Sequence, residues 1–365
     1  MTCAGRGLWY ENWSWRKDNM MKPRINTMSE LSVAIGVSRP TLSRFFQDPT
    51  RVKAATVKRI EEGLERVEYV PNFFATRLNR KSTGLIGVII PYLNDLFFTK
   101  LLEQIEKAAM TAGYTVISQC SHSDPAIEAR AARTFMSMSV DGALVAPLGN
   151  QSDTVVHERL RTRLPFVLVD SRPDTMPNVE YVGTNHDQST GLIIDYLCRV
   201  GDPPVFLAMP RVNFNAVQHE NAYCAQMERL GFEPTIIGTE SVDDRGHYEA
   251  HGEAVLDDYF SRGVFTDRSI LCANDRVAIG ALRAAARHGL IPGRSRRGGL
   301  RIAGHDDYPL CPFTTPALTT VAQDFEAIGK AAVSRLVEII NGAETDPTNP
   351  QVQLFDGVLK LRESA

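Results

Sequence analysis

Short apolar runs alternate with amphipathic segments over most of the chain. The first set predicts strands over residues 85–90, 114–118, 142–146 and 166–169, and helices over 98–112 and 125–139. The second set predicts helices over 188–200, 218–230, 247–261, 275–288 and 326–341, and strands over 205–209, 235–237, 269–273, 300–303 and 318–321. Such alternation is typical of parallel sheets covered on both faces. So many strands indicate two α/β lobes rather than one sheet.

The N-terminal part follows a helical rather than an alternating pattern. Thr27 and Glu30 have the spacing of a capping box, which predicts the start of a helix. Gly36 supplies a residue that can turn left-handed after that helix, and Ser38 then caps a second one. A third helix is expected over residues 54–67. Three helices in about forty residues make a small core.

The second of these helices has one apolar and one polar face. Leu42, Phe45 and Phe46 are predicted to point into the core. The opposite face carries Arg39, Pro40, Thr41, Ser43 and Arg44. Pro40 falls in the first turn, where its missing N–H costs little. Arginine and hydroxyl side chains near a helix start suit the phosphates and base edges of DNA.

Charge is distributed unevenly along the chain. The net charge of the whole sequence is −3. Residues 22–82 contain 12 Lys and Arg against 6 Asp and Glu, a local charge of +6, whereas residues 83–365 carry −10. This distribution confines the attraction for phosphate to the N-terminal part.

Polar and aromatic residues follow many of the predicted strands, at the edge of a parallel sheet where ligands collect. They are Asp95, Phe97, Phe98, Ser121, His122, Asp170, Asn185, His186, Asn215, Asn274, Asp275, His305 and Asp306. Carboxylates accept hydrogen bonds from paired hydroxyls, and a phenyl ring covers the C–H face of a sugar. For any one of these residues a role in a loop or a cap is the better explanation, but the whole set favours a polyol ligand.

The N-terminal pattern resembles the DNA-binding headpiece of the LacI/GalR (lactose-repressor) family of bacterial transcription regulators. The matching segments are Gly36-Val37-Ser38, Thr41-Leu42-Ser43-Arg44, Tyr69-Val70-Pro71-Asn72, and Ala75 with Arg77-Leu78. The resemblance implies a homodimer on a near-palindromic double-stranded DNA operator. It also implies DNA contacts by Thr27, Ser38, Arg39, Pro40, Thr41, Ser43, Arg44, Asn72, Ala75, Arg77 and Leu78. Residues 72–79 would form a hinge helix on DNA, with Leu78 of each subunit in the minor groove.

The rest of the chain resembles the periplasmic-binding-protein-like effector domain of the same family, over nearly all of residues 83–364. Its markers are Val140-Asp141-Gly142, Asn274-Asp275-Arg276, Gly304-His305-Asp306-Asp307 and residues 316–321. The resemblance implies a small-molecule effector, a sugar or sugar derivative, bound by Asp95, Phe97, Phe98, His219, Asn274, Asp275, Asp306 and Gln323. We expect the sugar to relieve repression. The alternative is that the small molecule acts as a corepressor.

Four departures from the family pattern leave the operator sequence and the effector open. Lys53 stands where a serine commonly caps the third helix, and Arg39-Pro40 replaces a polar pair that reads bases. His219 stands where an arginine is common, and arginine forks onto hydroxyls or carboxylates as histidine does not. Asn185-His186 replaces an Asp-Asn pair.

Together with these patterns, the resemblance implies four segments: an N-terminal extension over residues 1–22, a helix-turn-helix domain over 23–71, a hinge helix and linker over 72–82, and a two-lobed effector-binding and dimerisation domain over 83–365. The extension contains all three tryptophans. The choice of a start codon too far upstream explains it better than a functional arm does. The dimer seam is expected along helices of the first lobe, including Leu101, Leu102 and Ile105, and along the second lobe.

Several classes of site and location are not expected. The six cysteines are scattered without a C-x-x-C pair, so neither a disulfide framework nor a metal site is predicted, and no cofactor is implied. The first residues lack a signal-peptide pattern, and no stretch approaches the roughly 20 apolar residues of a membrane span. We therefore expect a cytoplasmic protein without a membrane partner.

Two functions of other classes were weighed. A sugar-binding transport receptor would share the two-lobed body but would need an export signal. An enzyme would need a catalytic motif, and no G-x-S-x-G, P-loop or G-x-G-x-x-G stands at a strand-to-helix turn. His122, His186, His219 and His305 could imitate a hydrolytic site, but no nucleophile stands at an obvious elbow. No catalytic residue is predicted.

Overall fold

The computed structural model describes residues 22–71, 82–148, 152, 154–211, 214–239, 247–263, 268–293 and 299–365. The chain divides into two compact units between Leu85 and Ile86, which we call the headpiece and the body. Within these described ranges, no helix has both the length and the apolar character that crossing a membrane requires.

Three helices and one pair of two-residue strands make up the headpiece. The helices are α1 (Met28–Ile35), α2 (Arg39–Gln47) and α3 (Ala54–Arg66), and a 3₁₀ turn covers Pro49–Arg51. β1 (Arg24–Ile25) pairs in parallel with β2 (Glu68–Tyr69). This pairing joins the start of the described headpiece to the segment that follows α3. The core consists of Ile25, Leu31, Ile35, Val37, Leu42, Phe45, Ile60, Val67 and Tyr69. The predicted helical hairpin and third helix are confirmed.

The helix ends follow from their capping residues. The Thr27 hydroxyl accepts a hydrogen bond from the Glu30 N–H at 3.2 Å, while the Glu30 carboxylate accepts from the N–H of Asn26, one residue before the cap. Gly36 ends α1 at φ 67°, a left-handed conformation that glycine adopts without strain. Lys53 begins α3 without a side-chain cap, because lysine has no acceptor to offer.

The body contains two lobes of strands and helices. In chain order its elements are β3 (Leu85–Ile90), α4 (Leu96–Thr111), β4 (Thr115–Cys120), α5 (Pro125–Met138), β5 (Gly142–Val145), α6 (Thr154–Arg163), β6 (Phe166–Val169), β7 (Tyr181–Thr184), α7 (His186–Val200), β8 (Val205–Leu207), α8 (Phe214–Arg229), β9 (Ile236–Ile237), α9 (Tyr248–Ser261), β10 (Ser269–Cys272), α10 (Asp275–Arg287), β11 (Arg301–Ala303), β12 (Thr320–Ala322), α11 (Phe325–Ile340), β13 (Val352–Phe355) and β14 (Val358–Lys360).

Each lobe is built on its own sheet. Lobe 1 has six strands in the order β13-β7-β6-β5-β3-β4, and lobe 2 has four in the order β11-β10-β8-β9. The pairs β3–β5, β5–β6, β6–β7 and β7–β13 run parallel, as do the three pairs of lobe 2. A further antiparallel pair, β12–β14, lies beside lobe 2. The predicted α/β body of two parallel-sheet lobes is therefore confirmed.

The last long helix does not belong where its position in the sequence suggested. The helix predicted over residues 326–341 is confirmed as α11, which contacts α4 and the strands β5, β6 and β7 of lobe 1. Gly329 on α11 lies against Gln104 of α4, and Leu336 covers Gly142 of β5. Helical periodicity identifies an apolar face but not the sheet that it covers, so only the structure assigns this helix to lobe 1.

The expected dimer seam is also corrected. Leu101, Leu102 and Ile105 are 1%, 7% and 0% exposed and belong to the core of the body. Side chains that are buried within one chain cannot form an interface between two. The elements α6, β13 and β14 were not predicted, because α6 is mostly polar and the side chains of β13 and β14 are mostly exposed.

Candidate DNA-binding surface and effector site

The polar face of α2 has the exposure that a DNA-contacting surface needs. Leu42 and Phe45 are buried beneath it, which fixes the rotation of the helix. Above them Arg39, Pro40 and Arg44 are exposed, and Thr41 and Ser43 are half-buried. The hydroxyls of Ser38 and Thr41 lie 2.8 Å apart at the start of the helix.

The remaining predicted DNA contacts divide into two groups. Thr27 is exposed at the cap of α1. Asn72, Ala75, Arg77 and Leu78, the predicted hinge contacts, lie outside the described residues. Their roles remain predictions.

Asp95 joins the two lobes of the body. Its carboxylate caps α4 by accepting from the N–H of Phe97 at 3.0 Å. From lobe 2, the Arg276 guanidinium donates to Oδ2 at 3.1 Å, and the Tyr308 hydroxyl donates to Oδ1. Arg276 is itself held by Glu249, to which it donates two hydrogen bonds of 2.7 and 2.8 Å. One buried carboxylate thus receives donors from both lobes.

Asp170 and Asn215 form a second contact between the lobes. Asp170 follows β6 in lobe 1, and its Oδ1 accepts from the Asn215 amide of α8 at 2.9 Å. Burial, with the charge of Asp306, raises the pKa of Asp170 to about 8. The Oδ1 atom of Asn215 is buried without a partner among the described residues, so it is available to a hydroxyl donor.

A third contact runs through Gln323. Its amide N–H donates to Asp306 Oδ1 at 2.6 Å, and its carbonyl accepts from the Thr184 hydroxyl at the end of β7. Burial raises the pKa of Asp306 well above its ordinary value. Nearby, the Lys100 ammonium of α4 donates to the carbonyl of Asp307 at 2.8 Å. Asp95, Asp170, Asn215, Arg276, Asp306, Tyr308 and Gln323 are called the interlobe cluster below.

The backbone of this region is strained where the lobes meet. Asp170, Asp306 and Asp307 have φ values of 66°, 117° and 53°, which non-glycine residues rarely adopt. Such conformations cost on the order of 1–3 kcal/mol each and concentrate at functional sites. The strain supports the assignment of the interlobe cluster as the ligand site.

Four of the predicted effector residues have structural roles, in hydrogen bonds within the fold or in the apolar core. Asp275 is fully buried, and its carboxylate accepts from the Thr320 hydroxyl at 2.6 Å and the Tyr308 N–H at 2.8 Å. Asn274 caps α10 through its Oδ1, at 2.9 Å from the N–H of Val277. Phe97 and Phe98 are buried in the core, where their rings pack edge to face. Effector contacts by these four residues remain predictions.

The last predicted contact, His219, lies in a cluster of three buried histidines. Its ring meets those of His186 and His305 edge on, with centroid distances of 4.5 and 4.6 Å. Burial lowers the pKa of His186 to about 3 and of His305 to about 4, and it lowers the pKa of His219 well below its usual value. All three rings are therefore neutral imidazoles near neutral pH.

Sequence reasoning missed part of this site. Arg276 and Tyr308 were not predicted as contacts, although each follows closely after a predicted residue. Arg276 also lies over the Tyr248 ring, with 4.9 Å between its guanidinium carbon and the ring centroid. The helical pattern of the sequence does not distinguish Arg276 from other polar residues of α10. Only the contact between the two lobes shows that it reaches Asp95.

The Asp170→Asn variant is expected to flatten the pH dependence of stability. The carboxyl ionises near pH 4 in the unfolded chain and near pH 8 in the folded protein, so unfolding releases a proton between these values. Stability therefore falls as pH rises, by about 1 kcal/mol per pH unit from this group. The variant has no such proton to lose.

Urea denaturation at about pH 5.5 and about pH 7.5 measures this dependence. The unmodified protein should lose more stability between the two conditions than Asp170→Asn does. The exposed Asp202→Asn variant serves as the control and should behave like the unmodified protein. Identical slopes for all three proteins would contradict the assignment.

Comparison with known proteins gives a consistent result along the chain. Residues 27–72 match the family model for bacterial regulatory proteins of the lacI family, and residues 206–365 match that for the periplasmic binding protein-like domain. The HTH-type transcriptional regulator MalR of Streptomyces coelicolor is 28% identical over 322 residues, which cover 86% of this chain and 90% of that protein.

Two further similarities agree with it. The lactose operon repressor of Escherichia coli strain K12 is 26% identical over 326 residues, which cover 88% of this chain and 86% of that protein. A crystal structure of the lac repressor dimer bound to operator and the anti-inducer ONPF has a TM-score of 0.79 and 25% identity, and it covers 93% of this chain and 98% of that one. Because a lacI-type headpiece precedes a periplasmic-binding-protein-like body and these similarities extend over most of the sequence, the chain belongs to the LacI family of bacterial regulatory proteins.

Proposed function

We propose that this protein is a cytoplasmic, homodimeric repressor of transcription that binds a near-palindromic operator and is released from it by a carbohydrate effector. Residues 23–71 read the operator, residues 72–82 form the hinge, and residues 83–365 bind the effector and dimerise. Residues 1–22 take no part in either function.

The polar face of α2 is the proposed reader of DNA bases. Arg44 can form two hydrogen bonds with a guanine edge, and Thr41 can contact either a base or a phosphate. Ser38, Arg39, Pro40 and Ser43 complete this surface, and Thr27 binds a phosphate from the start of α1. Asn72, Ala75, Arg77 and Leu78 are the proposed hinge contacts.

The interlobe cluster is the proposed effector site. Its carboxyl groups accept from paired hydroxyls, and the buried Oδ1 of Asn215 accepts from a further one. The one cationic side chain of the interlobe cluster, Arg276, is already paired with Asp95 and Glu249. The cluster therefore offers no free cation to an anionic ligand such as a sugar phosphate. A neutral sugar or polyol fits these groups best. His219 offers a single hydrogen bond where a family arginine would offer two.

The contact of both lobes with Asp95 is the observation that carries the mechanism. A ligand that competes for Asp95 or Asp170 changes the free energy of one lobe arrangement relative to another. An effector acts only through such a difference in affinity. The body thereby links effector binding to the position of the hinge.

Operator selection from random duplex DNA with the full chain tests the proposal. The expected product is a near-palindromic sequence whose binding weakens steeply as salt rises, because each phosphate contact releases a counterion. A panel of neutral sugars and polyols is then screened for a rise in melting temperature, and the ligands found are added to the operator complex. Release of the DNA supports repression, whereas tighter binding indicates corepression. Failure to bind any duplex at low salt would reject the whole proposal.

A further inference from the structure

Three buried histidines from distant parts of the sequence meet in the body. His186 begins α7, His219 lies on α8 and His305 follows β11. One ring nitrogen of each lies within 4.8 Å of the other two. We propose that these three residues bind a divalent transition-metal ion of the zinc type, through one ring nitrogen each.

His305 has the hydrogen bonding of a metal ligand. Its Nδ1 lies 3.2 Å from the Asp306 carboxylate, which can accept the Nδ1–H proton and leave Nε2 with a free lone pair. Metal-binding histidines commonly donate their other N–H to a carboxylate, which sets the tautomer and the ring orientation. Nε2 lies 2.9 Å from the Ser189 hydroxyl, whose proton can instead go to the His186 carbonyl 3.3 Å away when a metal ion binds Nε2.

The other two histidines have ring nitrogens that are weakly bonded or without a hydrogen-bond partner among the described residues. His219 Nδ1 makes one long contact of 3.5 Å with the Thr190 hydroxyl. Among the described residues, neither ring nitrogen of His186 has a hydrogen-bond partner. The residue is only 8% exposed, so water does not readily replace that partner. A buried polar atom without a partner costs free energy. A metal ion bound to His186 removes part of that cost.

The geometry and chemistry of the cluster favour zinc-type ions over magnesium or calcium. Zinc binds imidazole nitrogens at about 2.0–2.1 Å, so three ligands of a tetrahedral site lie about 3.4 Å apart. The nitrogens lie within 4.8 Å of one another, so metal binding requires the three rings to move closer together. All three donors are neutral imidazoles, which suit zinc, copper, nickel and iron, whereas magnesium and calcium prefer oxygen.

Charge around the cluster supports a cation. Asp306 makes no ion pair with Lys or Arg among the described residues, and its carboxylate is shared by His305 and Gln323. A divalent ion beside His305 supplies the positive charge that this buried carboxyl group needs in order to ionise, which the neutral rings do not supply. Three protein ligands also leave a fourth coordination position for water or an oxygen of the effector. This last point rests on the proposed function, whereas metal binding itself does not.

Calorimetric titration with zinc chloride tests the proposal. The full chain is prepared without a polyhistidine tag and freed of metal with a chelator. We expect one Zn²⁺ per chain in the unmodified protein and in His288→Gln, whose histidine lies at the end of α10 and pairs with Asp257. Saturable binding should be lost in His186→Gln. No saturable binding by the unmodified protein, or equal binding by His186→Gln, overturns the proposal.

Cobalt provides a second measurement that does not depend on the variant. The melting temperature of metal-free His186→Gln shows whether that variant folds. If it does not fold, the visible spectrum of Co²⁺ in the unmodified protein decides. Intense tetrahedral bands that one equivalent of Zn²⁺ abolishes support the site, and the weak bands of six-coordinate Co²⁺ overturn it. Neither measurement uses DNA or sugar, so their outcome is separate from that of the proposed function.

Discussion

The Gly280→Ala variant is expected to lose about 3 kcal/mol or more of the free energy of unfolding of the body. A methyl group on Gly280 of α10 would overlap the carbonyl oxygen of Glu249 and would come within 2.8 Å of the Glu253 nitrogen, both on the α9 backbone. Across the same contact, a methyl group on Gly252 of α9 would overlap the carbonyl oxygen of Val277. The two helix backbones touch, so neither can yield by rotating a side chain.

The effect should extend from stability to the interlobe cluster. Arg276 lies in the first turn of α10, and its partner Glu249 lies in the first turn of α9. Moving the two helices apart would therefore displace the guanidinium that reaches Asp95. A variant that remains folded should respond less to its effector than the unmodified protein does.

Gly191→Ala is the matched control for this prediction. Gly191 also lies inside a helix, α7, but a methyl group there meets only the end of the Gln226 side chain at 3.3 Å. Alanine gains up to about 1 kcal/mol of helix propensity over glycine. Urea denaturation followed by circular dichroism should show a lower midpoint for Gly280→Ala and an unchanged or higher one for Gly191→Ala. Similar midpoints for the two variants would contradict the close contact of the helices.

The Arg44→Ala variant is expected to weaken operator binding by about 1–3 kcal/mol, roughly 5-fold to 150-fold in affinity. Arg44 is exposed on α2, and its guanidinium has no acidic partner among residues 22–71. It can therefore contact a guanine edge without breaking an existing ion pair. Loss of the contact should relax sequence preference at one position of each half-site.

Lys58→Ala removes the same charge from α3 and serves as the control. If Lys58 contacts the DNA at all, it contacts a phosphate, so its loss should weaken binding about equally for all sequences. Gel-shift titrations with the selected operator and with single-base variants measure both affinity and preference. The assignment of Arg44 to base reading would be wrong if Arg44→Ala weakened every duplex by the same factor. Effector affinity should not change in either variant.

The headpiece was predictable because its signals are local. The capping residues Thr27 and Ser38, the left-handed Gly36 and the apolar positions of α2 all act within one or two helical turns. The same holds for the alternation of strands and helices in the body. A buried strand such as Leu85–Ile90 is recognisable from its own run of apolar residues.

Long-range placement was predicted less well. The rule that polar residues gather at the carboxyl ends of strands correctly brought Asp95 and Asp306 into one region. It did not predict that Asp275 would use its carboxylate within the fold, or that Arg276 and Tyr308 would meet Asp95. The sequence did not show which lobe α11 covers, and the assignment of Leu101 to a subunit interface failed for the same reason.

The amino-acid sequence by itself determined the helical headpiece, the α/β class of the body and membership of the LacI family, because these depend on periodicity, capping and ordered motifs over short distances. Only the tertiary structure decided which elements cover which sheet, which acids face the opposite lobe, and that His186, His219 and His305 share one place. Such neighbours depend on where chain crossovers bring distant segments together. Local patterns contain no information on the distance between them.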